Sequence, residues 1–338
     1  MANKIKIAID AMGGENSPEK IIHGIEISIN KNKDNFFYLF GKKSILEKEI
    51  LKRSSIKPYC EIINSDDFIL DDESPLTGAK KSKNTSMWMT IDSLKEKKTD
   101  IALSAGNTGA LLVISRLLLK TIDGINKPAL AGLWPNQNNM NVVLDLGANI
   151  ECSEKNLVDF ACMGSAFYQS LFNKERPKIS LLNVGLEEYK GNDVLKKTFA
   201  ILKDNNKKNF DFEGYIEGNH IMEGNIDVIV TDGFTGNIAL KTAEGTANFI
   251  IKNLKKSLNQ FSMLLSYTGL KKFKEKLDPR KYNGAIFLGL QSPVVKSHGA
   301  TDSIGFAHSI NVCNKIVKGN LIEKIKSNLI TVDAQENQ

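Results

Sequence analysis

The stretch Ile101-Ala-Leu-Ser-Ala-Gly-Asn-Thr-Gly-Ala-Leu-Leu112 determines how the fold is interpreted. Apolar residues lead into Ser104, glycines flank Asn107 and Thr108, and an apolar pattern with helical spacing follows. This order predicts a buried strand, a tight loop and the N-terminus of a helix. The first N–H groups of a helix lack partners within the helix and glycines allow a close approach, so the loop is suited to phosphate. An ordinary strand-to-helix turn, with Asn107 or Thr108 as the helix cap, explains the pattern equally well.

Length and composition are those of a soluble globular protein. The chain has 338 residues, of which 41% are hydrophobic and 25% charged, so a large core can be buried. We expect a single domain over 1–333, followed by a short tail at 334–338. No apolar run approaches the length of a membrane span, and the chain passes directly into a polar-flanked strand, Lys4–Asp10. These features predict a cytoplasmic protein without a signal peptide.

The spacing of the cysteines argues against a metal centre. Four cysteines and four histidines are scattered along the chain, without the close pairs that bind zinc or iron–sulfur clusters. We therefore expect no bound metal and thiols in the reduced state. The cysteines are Cys60, Cys152, Cys162 and Cys313.

The net charge of +6 is concentrated in one segment. Between Lys252 and Lys281, eight lysines and one arginine are balanced only by Glu275 and Asp278. No aromatic-interleaved motif accompanies these lysines, so nucleic-acid binding is disfavoured.

The same segment has apolar residues at helical spacing from Phe249 to Leu277, interrupted at Gly269. This pattern predicts a basic amphipathic helical hairpin over 247–281. Such a hairpin is suited to an anionic membrane surface or to an acidic carrier protein. A surface hairpin packed on the sheet or on a partner subunit explains the apolar spacing as well. The lysines proposed for membrane or carrier contact are Lys255, Lys256, Lys271 and Lys272.

Strands and helices alternate along almost the whole chain, which predicts a mostly parallel sheet in a three-layer α/β/α arrangement. Helices are expected to begin at Pro18, at a Ser44 cap and near Asn84. Besides the strand that ends at Ser104, the predicted strands are Ile5–Ile9, Phe36–Phe40, Tyr59–Ile63, Ala129–Leu133, Val142–Asp145, Ile179–Val184, Ile226–Val230, Ala285–Leu288 and Val294–Val295.

Polar or glycine-rich loops follow six of these strands. Ligands of parallel α/β sheets bind beyond the carboxyl ends of the strands, so we expect the loops to share one edge, provided the strands are parallel. A single Asp or Gly in such a loop is more often a turn or cap residue than a ligand contact. The proposed binding residues are Asp10, Gly13, Gly14, Ser104, Gly106, Asn107, Thr108, Gly109, Asp145, Asn149, Ser297 and Gly299.

The residue types in these loops favour an oxyanion or phosphate substrate. The motifs G-x-G-x-x-G after a strand, G-x-x-x-x-G-K-[ST] and G-x-S-x-G are absent, which disfavours dinucleotide binding, P-loop phosphoryl transfer and a hydrolase serine. Lys190, Lys296 and His298 are suited to an anionic reactant, although solvated surface residues would look the same. Asp232 and Asn237 either orient an attacking group or begin a helix.

The loop motifs form an ordered set over nearly the whole chain. They are Asp10-Ala-Met-Gly-Gly14, Ser104-Ala-Gly-Asn-Thr-Gly-Ala110, Leu144-Asp-Leu-Gly-Ala-Asn149, Val184-Gly185 with Lys190-Gly191, Asp232-Gly-Phe-Thr-Gly-Asn237 and Val295-Lys-Ser-His-Gly299. This set resembles the PlsX-type phosphate acyltransferases, the acyl-[acyl carrier protein]:phosphate acyltransferases of bacterial phospholipid synthesis. The resemblance implies a fold similar to that of the phosphotransacetylases and the isocitrate/isopropylmalate dehydrogenase-like enzymes.

The resemblance also implies an activity and partners. Inorganic phosphate would attack the thioester of acyl-[acyl carrier protein] directly, giving acyl phosphate for a glycerol-3-phosphate acyltransferase, without metal or organic cofactor. Lys190, Lys296 or His298 would stabilise the oxyanion. The protein would be a homodimer that associates peripherally with the membrane. Departures from the family pattern are Glu15, Lys80 and Lys81 in place of arginine, Ala285 and Pro293.

Two alternatives remain open from the sequence. A related-fold NAD(P)-dependent oxidoreductase would share the architecture but would bind a nucleotide. A non-catalytic carrier-binding or membrane-binding scaffold would keep the basic segment but would have no need of the loops at Ser104 and Lys296.

Overall fold

A computed structural model describes residues 4–81, 83–205, 209–257 and 278–329, and in these ranges the predicted alternation is confirmed. The strands are β1 (Ile5–Asp10), β2 (Asn35–Gly41), β3 (Cys60–Asn64), β4 (Ile101–Ser104), β5 (Ala129–Pro135), β6 (Met140–Leu144), β7 (Lys178–Leu182), β8 (Asp211–Ile216), β9 (Val228–Val230), β10 (Ala285–Leu288) and β11 (Val294–Lys296). The helices are α1 (Glu19–Lys31), α2 (Lys43–Lys52), α3 (Pro75–Lys80), α4 (Ser86–Lys95), α5 (Thr108–Leu119), α6 (Glu154–Phe172), α7 (Asp193–Asp204), α8 (Gly233–Ser257), α9 (Ser303–Lys318) and α10 (Leu321–Asn328).

The strands form one eleven-stranded sheet in the order β3-β2-β1-β4-β11-β10-β5-β6-β9-β7-β8. The first five strands in this order are parallel to one another, and so are the last four. Between these groups, β10 and β5 make three successive antiparallel pairings. The sheet is therefore mostly parallel, as predicted, but its two groups of strands run in opposite directions.

This reversal places the strand-end loops on two edges of the sheet. We call the carboxyl ends of β1, β4 and β11 the A edge and those of β6, β7 and β9 the B edge. The expectation that all six loops share one edge is wrong. The A edge carries the loops at Asp10, Ser104 and Lys296. The predicted residues that lie at the B edge are Asp145, Asn149, Lys190, Asp232 and Asn237.

The register shows how the two edges are related. Ile286 pairs with both Val295 and Ala131, and Ala131 pairs with Leu144. Val295 and Leu144 therefore lie at the same level of the sheet, about 14 Å apart at the usual strand spacing. The chain continues from Val295 in one direction and from Leu144 in the other, so the two sets of loops leave a common level of the sheet in opposite directions.

Helices cover both faces of the sheet, which confirms the three-layer prediction. In β1, Ile7 belongs to the core cluster that includes residues of α1, α6 and α9, whereas Ala8 belongs to the cluster that includes α4 and α5. In β6, Val142 joins the first of these clusters and Val143 packs in a third cluster with residues of α8. Each strand thus alternates between two buried faces.

Two details of the predicted elements are wrong. Ser44 is not a cap, because α2 has Lys42 at its N-cap position and no side-chain bond there. The strand β8 was not predicted, because its sequence Asp-Phe-Glu-Gly-Tyr-Ile has no continuous apolar run and carries Gly214. The helix expected near Asn84 begins at Ser86 after a Thr85 cap, whose Oγ1 accepts a bond from the Trp88 N–H at 3.4 Å.

The predicted basic hairpin is only partly within the described ranges. Its first residues form the C-terminal end of α8, where Phe249 is 68% exposed and Lys256 is exposed. The expected break at Gly269 and the lysines Lys271 and Lys272 lie outside the described residues. In the parts of the chain that are described, no helix is long and apolar enough to cross a membrane.

Candidate active site

Asp10 is the buried centre of the A edge, at the end of β1. Its Oδ1 accepts a hydrogen bond from the Ser86 hydroxyl at 2.6 Å, and its Oδ2 accepts one from the Ser104 hydroxyl at 2.7 Å. Burial raises the pKa of the Asp10 carboxyl above its ordinary value, and the bonds from Ser86 and Ser104 oppose that shift. With both oxygens engaged, Asp10 fixes the end of β4 against α4.

Glycines let the loop after β1 approach the loop after β4. A Cβ on Gly13 would lie 2.6 Å from both the Gly106 nitrogen and the Asp10 Oδ2, so no side chain fits there. The Gly106 N–H donates to the Ser104 hydroxyl at 3.1 Å. Gly14 has φ +84°, a conformation that favours glycine. The predicted residues Asp10, Gly13, Gly14, Ser104 and Gly106 are therefore brought together.

Asn107 has a structural role in this arrangement. Its Oδ1 accepts from the Ala110 N–H at 3.0 Å and caps α5, as the alternative interpretation of the sequence proposed. Both amide hydrogens are engaged as well, with the carbonyl oxygens of Asp71 at 3.1 Å and Glu73 at 2.7 Å. Thr108 is exposed, and Gly109 makes room for α3, since a Cβ there would lie 2.4 Å from Pro75 Cγ.

Lys296 ends β11 with a buried side chain, of which only 8% is exposed. Its Nζ donates to the carbonyl oxygens of Ala105, at 3.3 Å, and Ser297. Burial lowers the pKa of Lys296 from 10.5 to about 8, and Asp71 opposes that shift. The ammonium group thus faces backbone carbonyls in a poorly hydrated position, where an anion would be stabilised.

A second buried lysine, Lys20, reaches the same loops from α1. It is 6% exposed, and its Nζ donates to the Gly299 carbonyl oxygen. Among the residues that the structure describes, no carboxylate oxygen lies within the 4.0 Å ion-pair distance of either Lys20 or Lys296. The A edge therefore holds two buried cations without a direct counter-ion.

His298 follows Lys296 and is held at its backbone. The His298 N–H donates to the Asn283 Oδ1 at 2.8 Å, and the Ser297 hydroxyl accepts from the Asn283 amide at 2.8 Å. The His298 Nδ1 lies 3.2 Å from the Ala300 N–H, which donates to it, so the neutral ring carries its proton on Nε2. Burial and then Lys296 lower the pKa of His298. The ring is thus a neutral Nε2–H donor at pH 7.

The B edge has a different character, because its polar groups stabilise loops and helix ends. The Asp145 carboxylate is fully buried and accepts from the N–H groups of Leu130, Gly147, Ala148 and Asn149 and from the Asn149 amide, at 2.7–3.2 Å. Burial raises the pKa of Asp145, and these bonds oppose the shift. Both oxygens of this carboxylate are thus engaged by its own loop and by the neighbouring strand β5.

The three remaining predicted catalytic residues also lie at the B edge. Asp232 caps α8 through the Thr235 N–H at 2.8 Å, and the Asn237 amide donates to the Leu146 carbonyl at 3.2 Å. Lys190 is exposed, with its Nζ 5.8 Å from the Tyr189 ring centroid. Among the described residues, no hydrogen bond or ion pair joins Lys190, Asp232 or Asn237 directly to Lys296.

Helix α8 connects the two edges. It begins at the B edge, and Lys241 and Glu244, further along it, act electrostatically on His298 at the A edge. Lys241 and Glu244 follow Asn237 at spacings of four and seven residues, on one face of the helix. The middle of α8 therefore lies near enough to the A edge to act on His298.

Four residues of this site were not singled out from the sequence. Asp71, Ser86 and Asn283 belong to no loop motif that sequence alone marks. The sequence could have predicted that Lys20 is buried, because it precedes Gly24 and Ser28 by four and eight residues and so lies on the buried side of α1.

Comparison with solved structures identifies the fold of this chain. Solved structures with the same fold include a phosphotransacetylase from Streptococcus pyogenes, with a TM-score of 0.64 and 16% identity, covering 96% of this chain and 95% of that one. The EutD phosphotransacetylase from Staphylococcus aureus has a TM-score of 0.59 and 14% identity, covering 96% of this chain and 94% of that one. The fold is thus that of the phosphotransacetylases, as the sequence predicted.

Sequence relatives then identify the family. A phosphate acyltransferase from Pelagibacter ubique is 58% identical over 336 residues, covering 97% of this chain and all of the relative. One from Afipia carboxidovorans is 40% identical over 331 residues, covering 96% of this chain and 94% of the relative. The family model described as "Fatty acid synthesis protein" matches residues 5–324. The chain belongs to this family of PlsX-type phosphate acyltransferases, and it is an acyltransferase enzyme.

Proposed function

We propose that this enzyme transfers a fatty acyl group from acyl-[acyl carrier protein] to inorganic phosphate, giving acyl phosphate for phosphatidic acid synthesis. The observation that carries the proposal is the pair of buried lysines, Lys20 and Lys296, which lie beside the glycine loops of the A edge and have no carboxylate partner among the described residues. Buried cations without counter-ions are unfavourable, and a phosphate dianion removes this penalty when it binds. Family membership supplies the reaction class.

The phosphate is the nucleophile in this proposal. One of its oxygens attacks the thioester carbonyl carbon, the C–S bond breaks, and the pantetheine thiolate leaves and takes a proton from solvent. The Lys296 ammonium and the His298 Nε2–H stabilise the oxyanion of the tetrahedral intermediate, and one such donor typically contributes about 3–4 kcal/mol. The backbone N–H groups at the start of α5 hold the remaining phosphate oxygens.

A direct attack agrees with the state of the cysteines. Burial raises the pKa of Cys60 and Cys152 to about 11, and it also raises the pKa of Cys313, so these thiols are protonated at pH 7. A thiol is a much weaker nucleophile than a thiolate. We therefore propose that no acyl-enzyme forms.

The deciding experiment measures free carrier thiol. Purified protein is incubated with acyl-[acyl carrier protein], with and without inorganic phosphate. We expect thiol release only with phosphate, and loss of that release in Lys296→Met but not in Lys31→Met, which makes the same charge change at an exposed position. Release without phosphate, or a thermal shift with NAD(P) and none with phosphate, would contradict the proposal and favour the oxidoreductase alternative.

We further propose the assembly that the family resemblance implies. The enzyme acts as a homodimer at an anionic membrane surface, with the lysine-rich segment after α8 as the contact, and passes acyl phosphate to a glycerol-3-phosphate acyltransferase. The exposed Phe249 and Lys256 near the end of α8 are consistent with such a contact. Sedimentation with anionic vesicles and the mass of the protein in solution test these two points.

A further inference from the structure

Lys20 occupies a position that the fold itself does not favour. It lies in the first turn of α1, where the positive end of the helix dipole repels a cation. Only 6% of the residue is exposed, and burial lowers the pKa of its ammonium group. Asp71 and Glu15 oppose that shift, but neither carboxylate is within ion-pair distance. A methionine would fill the same volume without either penalty.

The Lys20 ammonium nevertheless lies against the atoms that surround Lys296. A Cβ built on Gly14 would lie 2.9 Å from the Lys20 Nζ and 2.8 Å from the Ala105 carbonyl oxygen. That same Ala105 oxygen is 3.3 Å from the Lys296 Nζ. The Ala105 carbonyl therefore lies near both ammonium groups, and any side chain at position 14 would collide with that carbonyl and with Lys20.

We propose that Lys20 is a second phosphate-binding cation of this enzyme, which holds the phosphate dianion together with Lys296. The inference rests on the proposed function and adds a residue that no loop motif contains. In the structure, Lys20 donates to the Gly299 carbonyl. An ammonium–phosphate bond is stronger than an ammonium–carbonyl bond, so Lys20 exchanges the carbonyl for the anion.

The alternative is that Lys20 has only a structural role, in which its hydrogen bond holds the Gly299 loop against α1. The two roles predict opposite changes in stability. If the hydrogen bond to Gly299 mainly stabilises the loop, replacing Lys20 lowers the melting temperature. If Lys20 is a buried cation without a counter-ion, its replacement leaves the melting temperature unchanged or raises it. The two roles also differ in their effect on phosphate affinity, because a lysine that only stabilises the loop has no direct contact with the anion.

The test compares Lys20→Met with Lys31→Met, a control that removes the same charge from the exposed C-terminal end of the same helix. Calorimetric titration with inorganic phosphate, at a temperature where all variants are folded, gives the dissociation constant. We expect Lys20→Met to weaken phosphate binding about 10- to 100-fold, the range for a lost bond to a charged group. Its melting temperature without phosphate should be no lower than that of the wild type, and Lys31→Met should bind phosphate normally.

Kinetics provide an independent readout. In Lys20→Met the KM for phosphate should rise while the KM for the carrier thioester stays unchanged. An unchanged phosphate dissociation constant in folded Lys20→Met overturns the inference, whatever its melting temperature. If that protein does not fold, Lys20→Gln is measured by the same criterion.

The same titration separates this inference from the proposed function. Wild-type protein that binds phosphate but releases no carrier thiol would refute the proposed reaction and leave the Lys20 site standing. Wild-type protein that turns over normally, with Lys20→Met binding phosphate as tightly, would refute only the role of Lys20.

Discussion

Replacing Lys296 with methionine should change the free energy of unfolding in a way that depends on pH. Burial lowers the pKa of Lys296 from 10.5 to about 8. Because the folded-state pKa is the lower one, the unfolded chain binds more protons between these values, and stability rises with pH across that window. Below about pH 8 the lysine is charged in the fold, and burying this charge lowers the free energy of unfolding by about 3 kcal/mol, at 1.36 kcal/mol per pKa unit.

Methionine removes this penalty but also removes two hydrogen bonds. The bonds to the carbonyl oxygens of Ala105 and Ser297 contribute about 1 kcal/mol each. At pH 7, Lys296→Met should therefore be about 1 kcal/mol more stable than the wild type. At pH 10.5 it should be about 2 kcal/mol less stable, because the wild-type lysine is then neutral in the fold. The difference between these two values, about 3 kcal/mol, is independent of the hydrogen-bond terms.

Urea unfolding in phosphate-free buffer, followed by circular dichroism at pH 7 and pH 10.5, measures this difference. Lys31→Met serves as the control and should show no change between the two values, because its side chain is exposed. If Lys296→Met is destabilised equally at both pH values, the lysine is not desolvated in the folded protein. The proposed anion site, which depends on a buried charge at Lys296, would then be refuted.

Other expectations follow from the same site. With Lys296 losing its charge, kcat/KM for phosphate should fall as the pH rises through about 8, as a pH–rate profile will show. Asn107→Ala removes the cap of α5 and should lower the free energy of unfolding by about 1–2 kcal/mol, measured in urea, and raise the KM for phosphate. Lys190→Ala should lower kcat in steady-state assays without lowering the melting temperature, because Lys190 is exposed; a loss of stability that accounts for the whole loss of activity would favour a structural role. Sedimentation with anionic vesicles should be lost after reversal to glutamate of Lys255, Lys256, Lys271 and Lys272.

The layers of the fold could be predicted from the sequence, but the directions of the strands could not. Apolar runs of strand length bounded by glycine and polar residues gave nearly every strand, and the helices between them gave the three layers. The reversal arises at β10 and β5, whose runs Ala-Ile-Phe-Leu and Ala-Leu-Ala-Gly-Leu-Trp-Pro resemble those of the parallel strands. Direction is decided by which strands pair, and pairing is a long-range property that composition does not encode.

The same limit explains which site residues were recognised. The strand-end loops stand out because tight turns need glycines, and because Asp, Asn and Ser satisfy the N–H groups exposed there. Asn107 and Asp145 do this, with hydrogen bonds to their own loops and to the segments packed beside them. A motif rich in such residues therefore marks where a loop is tightly built, and it does not separate the residues that build the loop from those that meet a ligand.

Burial of charge distinguishes the residues that meet a ligand from those that only build a loop. At the A edge, the ammonium groups of Lys20 and Lys296 are removed from solvent and have no carboxylate partner in the described ranges. Binding of an anion would therefore stabilise the charged form of each lysine. Asp10 is equally buried, but its two hydroxyl donors satisfy it within the fold. The distinction depends on what surrounds each group after folding. For Lys20 the surroundings come from Gly14, Ala105 and Gly299, on three separate loops, which explains why only the folded chain assigns it to the site.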